Sequence, residues 1–232
     1  MDSYFPADPV VLTWPAEDTS TPSHDPPAYD EARLPLNPVN YEFSPQGFNA
    51  LLLLPPSNLP DTRPLYYISV AMNCMNPFSF ITTVHKGASN SGPYVGEFEM
   101  GISTIPGTVA IGDCQKRIRD VVHHVHTRWT WTFRADRSQH IRWELPNSST
   151  GIFNCFLASD PYPASPHLKI AQFKGASFNQ KGTERTPPSM LRVYPTGQPL
   201  FDDILLSVLI IERRRLQPPA PQTYQTESIW WS

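Results

Sequence analysis

The sequence is short of cysteine, of charge and of long apolar runs, and each shortage excludes a class of protein. Its three cysteines, Cys74, Cys114 and Cys155, are widely spaced, which argues against a disulfide framework or a zinc ribbon and predicts reduced, buried thiols. The longest apolar run, residues 204–211, is far below the ~20 residues of a membrane-spanning helix. Charged residues make up only 17% of the chain, too few for a coiled coil or a nucleic-acid tail. No basic start followed by an apolar run opens the sequence, so we expect a cytoplasmic protein.

Familiar catalytic signatures are also missing. The sequence contains no GxSxG elbow, no phosphate-binding glycine loop and no HExxH pair. His123, His124 and His126 crowd one short stretch, which we interpret as an exposed cluster rather than a metal site. Glu97 and Glu99 share one strand face, where a solvated or barrel-lining role is expected. We therefore predict no enzyme, no cofactor and no metal, with an unrecognised enzyme acting at a barrel mouth as the alternative.

Proline is abundant, and its distribution divides the chain. Of the 27 prolines, twelve lie in the first 62 residues, where nine acidic residues and the single base Arg33 give a local charge of −8. The remainder of the chain carries +5. We predict a disordered acidic arm over residues 1–50, a globular domain over 51–216 and a proline-rich tail over 217–232. Because the arm is poor in apolar residues, deletion of residues 1–45 is expected to leave the domain folded.

Hydrophobic periodicity within the domain is mostly that of β-strands. Residues 128–134 alternate strictly, which places Trp129, Trp131 and Phe133 on one face of a strand and favours a core position for them and for Trp143. A loose hairpin loop is predicted at residues 87–92 and a tight one at 136–138. Further strands are predicted at 65–71, 78–84, 94–100, 108–111, 140–145, 152–157, 168–173 and 190–194. About eight to twelve strands at this spacing indicate an all-β barrel or sandwich.

Two segments depart from that pattern. In residues 116–125, Ile118, Val121, Val122 and Val125 are spaced as on one helix face, which predicts one or two helical turns. Residues 201–215 begin with two aspartates and end with three arginines, the charge order that favours a helix. Because this segment is apolar around nearly its whole circumference, we predict a helix enclosed by the barrel, with a buried central strand as the alternative.

Several of these segments together resemble a known family. Residues 96–100, 109–112, 170–173 and 202–214, with Trp129, Trp131 and Trp143, resemble the fungal domain-of-unknown-function family numbered 6593. The resemblance covers roughly residues 51–216. That family is in turn similar to barrels of the tubby and LURP-one type, which implies a closed antiparallel sheet around a C-terminal helix. The resemblance implies no catalytic residue.

The sharpest short motif lies in the arm. Pro26, Pro27, Ala28 and Tyr29 form a PPxY sequence, which can present its prolines and its tyrosine ring to the groove of a WW domain. WW domains of ubiquitin ligases are the partners such a motif usually implies, and a plain acidic linker is the alternative. For the barrel, the expected partner is a lipid head group, a membrane surface or a protein. The basic clusters at 116–119 and 213–215 are too short to predict nucleic-acid binding.

Overall fold

A computed structural model describes residues 35–101, 107–134, 139–146, 151–159, 168–175 and 187–216. Within these ranges the chain forms one antiparallel sheet of 13 strands and two α-helices, which confirms the predicted fold class. The first seven strands are β1 (Val39–Pro45), β2 (Ala50–Leu54), β3 (Tyr66–Asn73), β4 (Asn76–Lys86), β5 (Tyr94–Gly101), β6 (Thr108–Ile111) and β7 (Cys114–Arg117). After a single helical turn, α1 (Ile118–Val121), come β8 (Val122–Val125), β9 (Arg128–Trp131), β10 (Gln139–Glu144), β11 (Ile152–Ser159), β12 (Leu168–Lys174) and β13 (Met190–Val193). A 3₁₀ helix, Pro195–Leu200, leads into α2 (Phe201–Leu216).

The two edges of the sheet are neighbours in the chain. Strands β1 to β7 follow one another across the sheet, and β8 to β13 return from the other side until β13 pairs with β1. The edge strands β7 and β8 are separated only by α1, whose Ile118 N–H donates to the Gly107 carbonyl at 2.8 Å. At its other end, Val121 accepts a bond of 2.9 Å from the Thr132 N–H. The short helix therefore links the two edge strands, and in the described part of the chain the barrel wall is joined there by α1 rather than by strand pairing.

Helix α2 fills the interior of this barrel. The six consecutive residues from Asp203 to Val208 are all buried, so every side of the helix contacts protein. At its first turn, the Phe201 ring packs edge-on against Tyr41 at 4.9 Å and stacks on Tyr66 at 5.3 Å. The helical prediction for this segment is confirmed, and the alternative of a central strand is wrong.

A glycine in β5 permits the close approach of α2 to the barrel wall. A Cβ atom at Gly96 would lie 2.6 Å from the Ala110 carbonyl oxygen and 3.0 Å from Cδ1 of Leu206. The first contact is one that real Cβ atoms essentially never make, and the second would require the Leu206 side chain to move by a few tenths of an ångström. The absence of a side chain at position 96 therefore lets both β6 and α2 approach this strand closely.

The alternating tryptophan strand lies where the pattern predicts. Trp131 and Phe133 are buried with their rings stacked at 5.7 Å, and Trp129 on the same face is half-buried. Trp143, on the neighbouring strand β10, is fully buried. The core interpretation of these aromatic residues is confirmed. The predicted loop at residues 87–92 likewise joins β4 to β5.

Of the one or two helical turns predicted within residues 116–125, the structure has one. Only Ile118–Val121 is helical, while Cys114–Arg117 and Val122–Val125 are strands. Val122 pairs with Trp131, and Val125, at the end of β8, is exposed. Strand pairing with β9 thus overrides the helical spacing of the apolar residues.

The sheet begins earlier than the predicted domain boundary at residue 51. Strand β1 lies inside the stretch assigned to the arm, and it pairs with β2 on one side and β13 on the other. Val39, Tyr41 and Phe43 are buried and alternate with the exposed Asn40 and Glu42. The expectation that residues 1–45 can be deleted is therefore wrong, because such a deletion removes a central strand. Flanking prolines hid this strand in the sequence.

The predictions about the cysteines and the chain termini have different outcomes. Cys155 is buried as expected, but Cys74 and Cys114 are exposed, so the buried-thiol prediction is wrong for two of the three. Residues 1–34, the tail at 217–232 and the tight loop at 136–138 lie outside the described residues. Within the described ranges, neither α-helix has the length and apolar composition needed to cross a bilayer.

Candidate functional site

The two candidate sites noted in the sequence have different outcomes. Pro26, Pro27 and Tyr29 precede residue 35, so the proposed WW-binding motif lies outside the described residues and stays a prediction.

The histidine cluster is exposed, as the sequence suggested. His123 and His124 lie in β8, and His126 lies in the turn that follows. Successive strand residues point to opposite faces of a sheet, so His123 and His124 diverge. Across the ranges that the structure describes, no group of His, Cys, Asp or Glu side chains is arranged to hold a metal ion.

At the end of the barrel where α2 begins, here called the upper end, two aspartates anchor the helix. The Tyr66 hydroxyl donates to Asp202 Oδ1 at 2.6 Å, and Lys86 Nζ lies 3.8 Å from the other oxygen. Trp131 Nε1 donates to Asp203 Oδ1 at 3.0 Å, and Arg134 Nε lies 3.4 Å from Oδ2. All four carboxylate oxygens thus have partners from the wall. The arrangement holds the helix in register rather than presenting a free acid or base.

Burial sets the ionisation of these groups. It raises the pKa of Asp203 above its ordinary value of 3.8, although the Trp131 hydrogen bond and the Arg134 guanidinium both favour the carboxylate. Burial, with help from the nearby Asp202 charge, also raises the pKa of the Tyr66 hydroxyl, which keeps its proton and acts as a donor. Further along α2, the buried polar groups of Trp143 and Ser207 also have hydrogen-bond partners. Trp143 Nε1 donates to Ser207 Oγ at 2.9 Å, and that hydroxyl donates to the Ile204 carbonyl at 3.0 Å.

The opposite end of the barrel, where α2 ends, is here called the lower end. Two of its arginines lie over aromatic rings. Arg213 lies over the Phe80 ring at 5.3 Å, and Arg214 lies over Trp129 at 5.9 Å. No carboxylate among the described residues forms an ion pair with either guanidinium. Burial lowers the pKa of Arg214, but a guanidinium stays protonated at neutral pH. Two partly exposed cations without an ion-pair partner among the described residues therefore lie at the lower end.

An apolar groove opens beside these arginines. It encloses about 410 Å³ between α2 and the wall built by β1, β2 and β12. Its only charged lining residue, Glu212, is held by Arg215 through two bonds of 2.7 and 2.8 Å, so its charge is compensated. The remaining lining is Phe43, Pro45, Leu51, Phe173, Pro187, Pro188, Ser189, Leu209 and Leu216.

Comparison with known proteins identifies the domain. A profile of the family of unknown function DUF6593 matches residues 56–217. The chain belongs to the DUF6593 family. The matched range starts after β1 and β2, yet β1 pairs with β13 and β2 pairs with β3, so in this chain the DUF6593 barrel begins at Val39. Neither the curated proteins nor the solved structures include a match to this chain.

The arginines of the lower end are visible in the sequence, but their arrangement is not. The sequence shows residues 213–215 as charges that complement the helix dipole and as a short basic cluster. Their stacking on Phe80 and Trp129 depends on strands that are distant in sequence. The groove has no sequence signal at all, because its walls come from five separate segments.

Proposed function

We propose that this DUF6593 protein is a non-enzymatic lipid-binding module, and that the groove at the lower end holds a hydrocarbon chain of the lipid. The observation that carries the proposal is the groove itself. Its volume of about 410 Å³ falls within the range of small-molecule sites, roughly 300–1,000 Å³. Its lining offers apolar side chains and prolines, and its one carboxylate is already paired with Arg215. Such a surface favours an apolar ligand over a polar one.

The non-enzymatic part of the proposal is supported by the upper end. There the best acid candidates, Asp202 and Asp203, already have partners on all their oxygens. The alternative, an enzyme acting at a barrel mouth, needs a nucleophile and a base whose reacting atoms are not already engaged by other side chains. Fungal origin and a tubby-type relationship stay predictions.

Binding of a fluorescent acyl-chain analogue to the full-length protein tests the groove. Leu216 lines it and is 44% exposed, so Leu216→Gln replaces an apolar wall with an amide without opening the core. We expect an affinity loss of about tenfold, equivalent to ~1.4 kcal/mol. Leu168→Gln is the matched control, because Leu168 is 50% exposed and lies outside the groove. Equal affinities for the two variants, or no binding by the wild type, would refute the groove.

The arm adds a second binding function to this proposal. We infer that Pro26, Pro27 and Tyr29 recruit a WW-domain ubiquitin ligase, which makes the whole chain an adaptor. A peptide of residues 23–33 should bind a ligase WW domain with micromolar affinity, about −7 to −8 kcal/mol. Tyr29→Ala should abolish most of this binding by emptying the aromatic pocket, whereas Asp25→Asn changes only a rim charge. Unchanged binding by Tyr29→Ala would leave the arm as a linker.

The proposed compartment is the cytoplasm. Cys74 and Cys114 are both exposed and free. Free surface thiols persist where glutathione and thioredoxin keep the environment reducing.

A further inference from the structure

Several exposed apolar side chains lie on or beside the turns at the lower end of the barrel. Phe48, in the turn between β1 and β2, is fully exposed, and Met75, in the turn between β3 and β4, is 92% exposed. Phe78, at the start of β4, is 65% exposed. Val125, at the turn between β8 and β9, is exposed as well. Three separate hairpins therefore each present at least one large apolar side chain to solvent.

Strand direction places these turns at the same end. Neighbouring strands are antiparallel, so the β1–β2 and β3–β4 turns lie on one side of the barrel wall. Arg213 of α2 contacts Phe80 near the β3–β4 turn, and Arg214 contacts Trp129 near the β8–β9 turn. All three turns thus surround the point where α2 finishes and the groove opens.

The cations at the two ends of the barrel differ in whether a carboxylate lies within ion-pair distance of them. At the upper end, Lys86 and Arg134 lie within ion-pair distance of Asp202 and Asp203. At the lower end, Arg213 and Arg214 have only aromatic rings as described partners. A guanidinium is a planar fork of donors that matches the geometry of a phosphate. The lower end therefore combines apolar tips with cations available for anions.

We propose that this lower rim, made of Phe48, Met75, Phe78, Arg213 and Arg214, docks on an anionic membrane surface. The apolar tips enter the boundary between head groups and acyl chains, and the two guanidinium groups bind lipid phosphates. An apolar side chain on each of several separate tips suits a soft lipid interface. A protein partner instead requires a contiguous, shape-complementary patch with few charges at its centre.

This inference deepens the proposed function and rests on it in one respect. Docking in this orientation turns the groove toward the bilayer, so a hydrocarbon chain can enter it without crossing water. The rim and the groove nevertheless use different residues. They can be disabled separately.

Sedimentation of the full-length protein with vesicles tests the rim. The probes are vesicles of phosphatidylcholine alone and of phosphatidylcholine mixed with phosphatidylserine. The wild type should bind the mixed vesicles at least tenfold more tightly, and added salt should weaken this binding because it screens the phosphates. Phe48→Ser combined with Met75→Ser should reduce binding to the mixed vesicles about tenfold or more. Both side chains are solvent-exposed tips, so the fold should be unaffected.

The arginines are tested by the preference for anionic lipid. Arg213→Gln combined with Arg214→Gln should lower the affinity for mixed vesicles about thirtyfold, the equivalent of ~1 kcal/mol for each cation. The matched controls are Leu168→Ser for the tips and Arg119→Gln for the charges, since Arg119 is an exposed cation of α1 outside the rim. Both controls should bind as the wild type does.

The outcomes separate the rim from the groove. If the rim variants bind mixed vesicles as tightly as their controls, or if the wild type binds no vesicle, the docking proposal is overturned. The acyl-chain assay contains no bilayer, so Phe48→Ser with Met75→Ser should leave it unchanged. Loss of analogue binding in Leu216→Gln together with intact vesicle binding supports both parts. Vesicle binding without analogue binding by the wild type supports the rim and rejects the groove.

Discussion

Truncating Leu206 to alanine should destabilise the protein by about 4 kcal/mol, because this side chain lies at the centre of the barrel with no solvent exposure. Loss of three buried carbon groups accounts for about 2.4 kcal/mol at ~0.8 kcal/mol each. A cavity adds the remainder, since measured Leu→Ala losses run from about 2.7 to 5.0 kcal/mol. The upper part of that range applies here because Gly96, which faces Leu206 Cδ1, has no side chain to move into the space.

Urea unfolding followed by tryptophan fluorescence measures this loss. Trp131 and Trp143 both hydrogen-bond α2 and therefore report directly on the helix leaving the barrel. The slope against urea should match the wild type, so that the midpoint alone changes. Leu216→Ala, at the exposed end of the same helix, is the control and should lose less than about 1 kcal/mol. Leu206→Asp, which buries an unpaired charge, should be worse by several kcal/mol. A loss below about 1 kcal/mol in Leu206→Ala would show that α2 is not enclosed.

Three further perturbations probe the barrel. Ser207→Ala leaves the buried Trp143 N–H without its acceptor and should destabilise the protein by about 1–3 kcal/mol. In a Trp143→Phe background the same substitution should cost much less, and equal losses of stability in both backgrounds would exclude the hydrogen bond. Burial raises the folded-state pKa of Asp203, so its contribution to stability is present below pH 3.8 and is lost as pH rises through that raised pKa. As pH rises through this window, the unfolding free energy of Asp203→Asn should therefore increase relative to that of the wild type. Urea titrations at several pH values measure both free energies, and a difference between them that does not change with pH would contradict this. Deleting residues 1–45 removes β1 from between β2 and β13 and should abolish the cooperative melting transition, whereas deleting residues 1–34 spares β1 and should change the melting temperature little.

The local sequence pattern was enough to predict those helices and strands that can be recognised without knowing which segments they pack against. The segment 201–215 carries its own helix signals, with aspartates at one end and arginines at the other, and its apolar circumference requires burial wherever it lies. The alternation of Trp129, Trp131 and Phe133 likewise requires one strand face to be inside. These features depend on residues within a few positions of each other. The sequence alone therefore determined an all-β domain around a C-terminal helix.

Tertiary structure decided how the strands close and what the lower end presents. Val39 pairs with Val193, which lies far along the chain, and α1 links the two sheet edges. Pairing of β8 with β9 made strand residues of Val122 and Val125, although both are spaced as on a helix face. Closure of the barrel also brought Phe80 and Trp129 under the arginines of α2. A local pattern cannot specify such contacts, because they exist only once the whole barrel has closed.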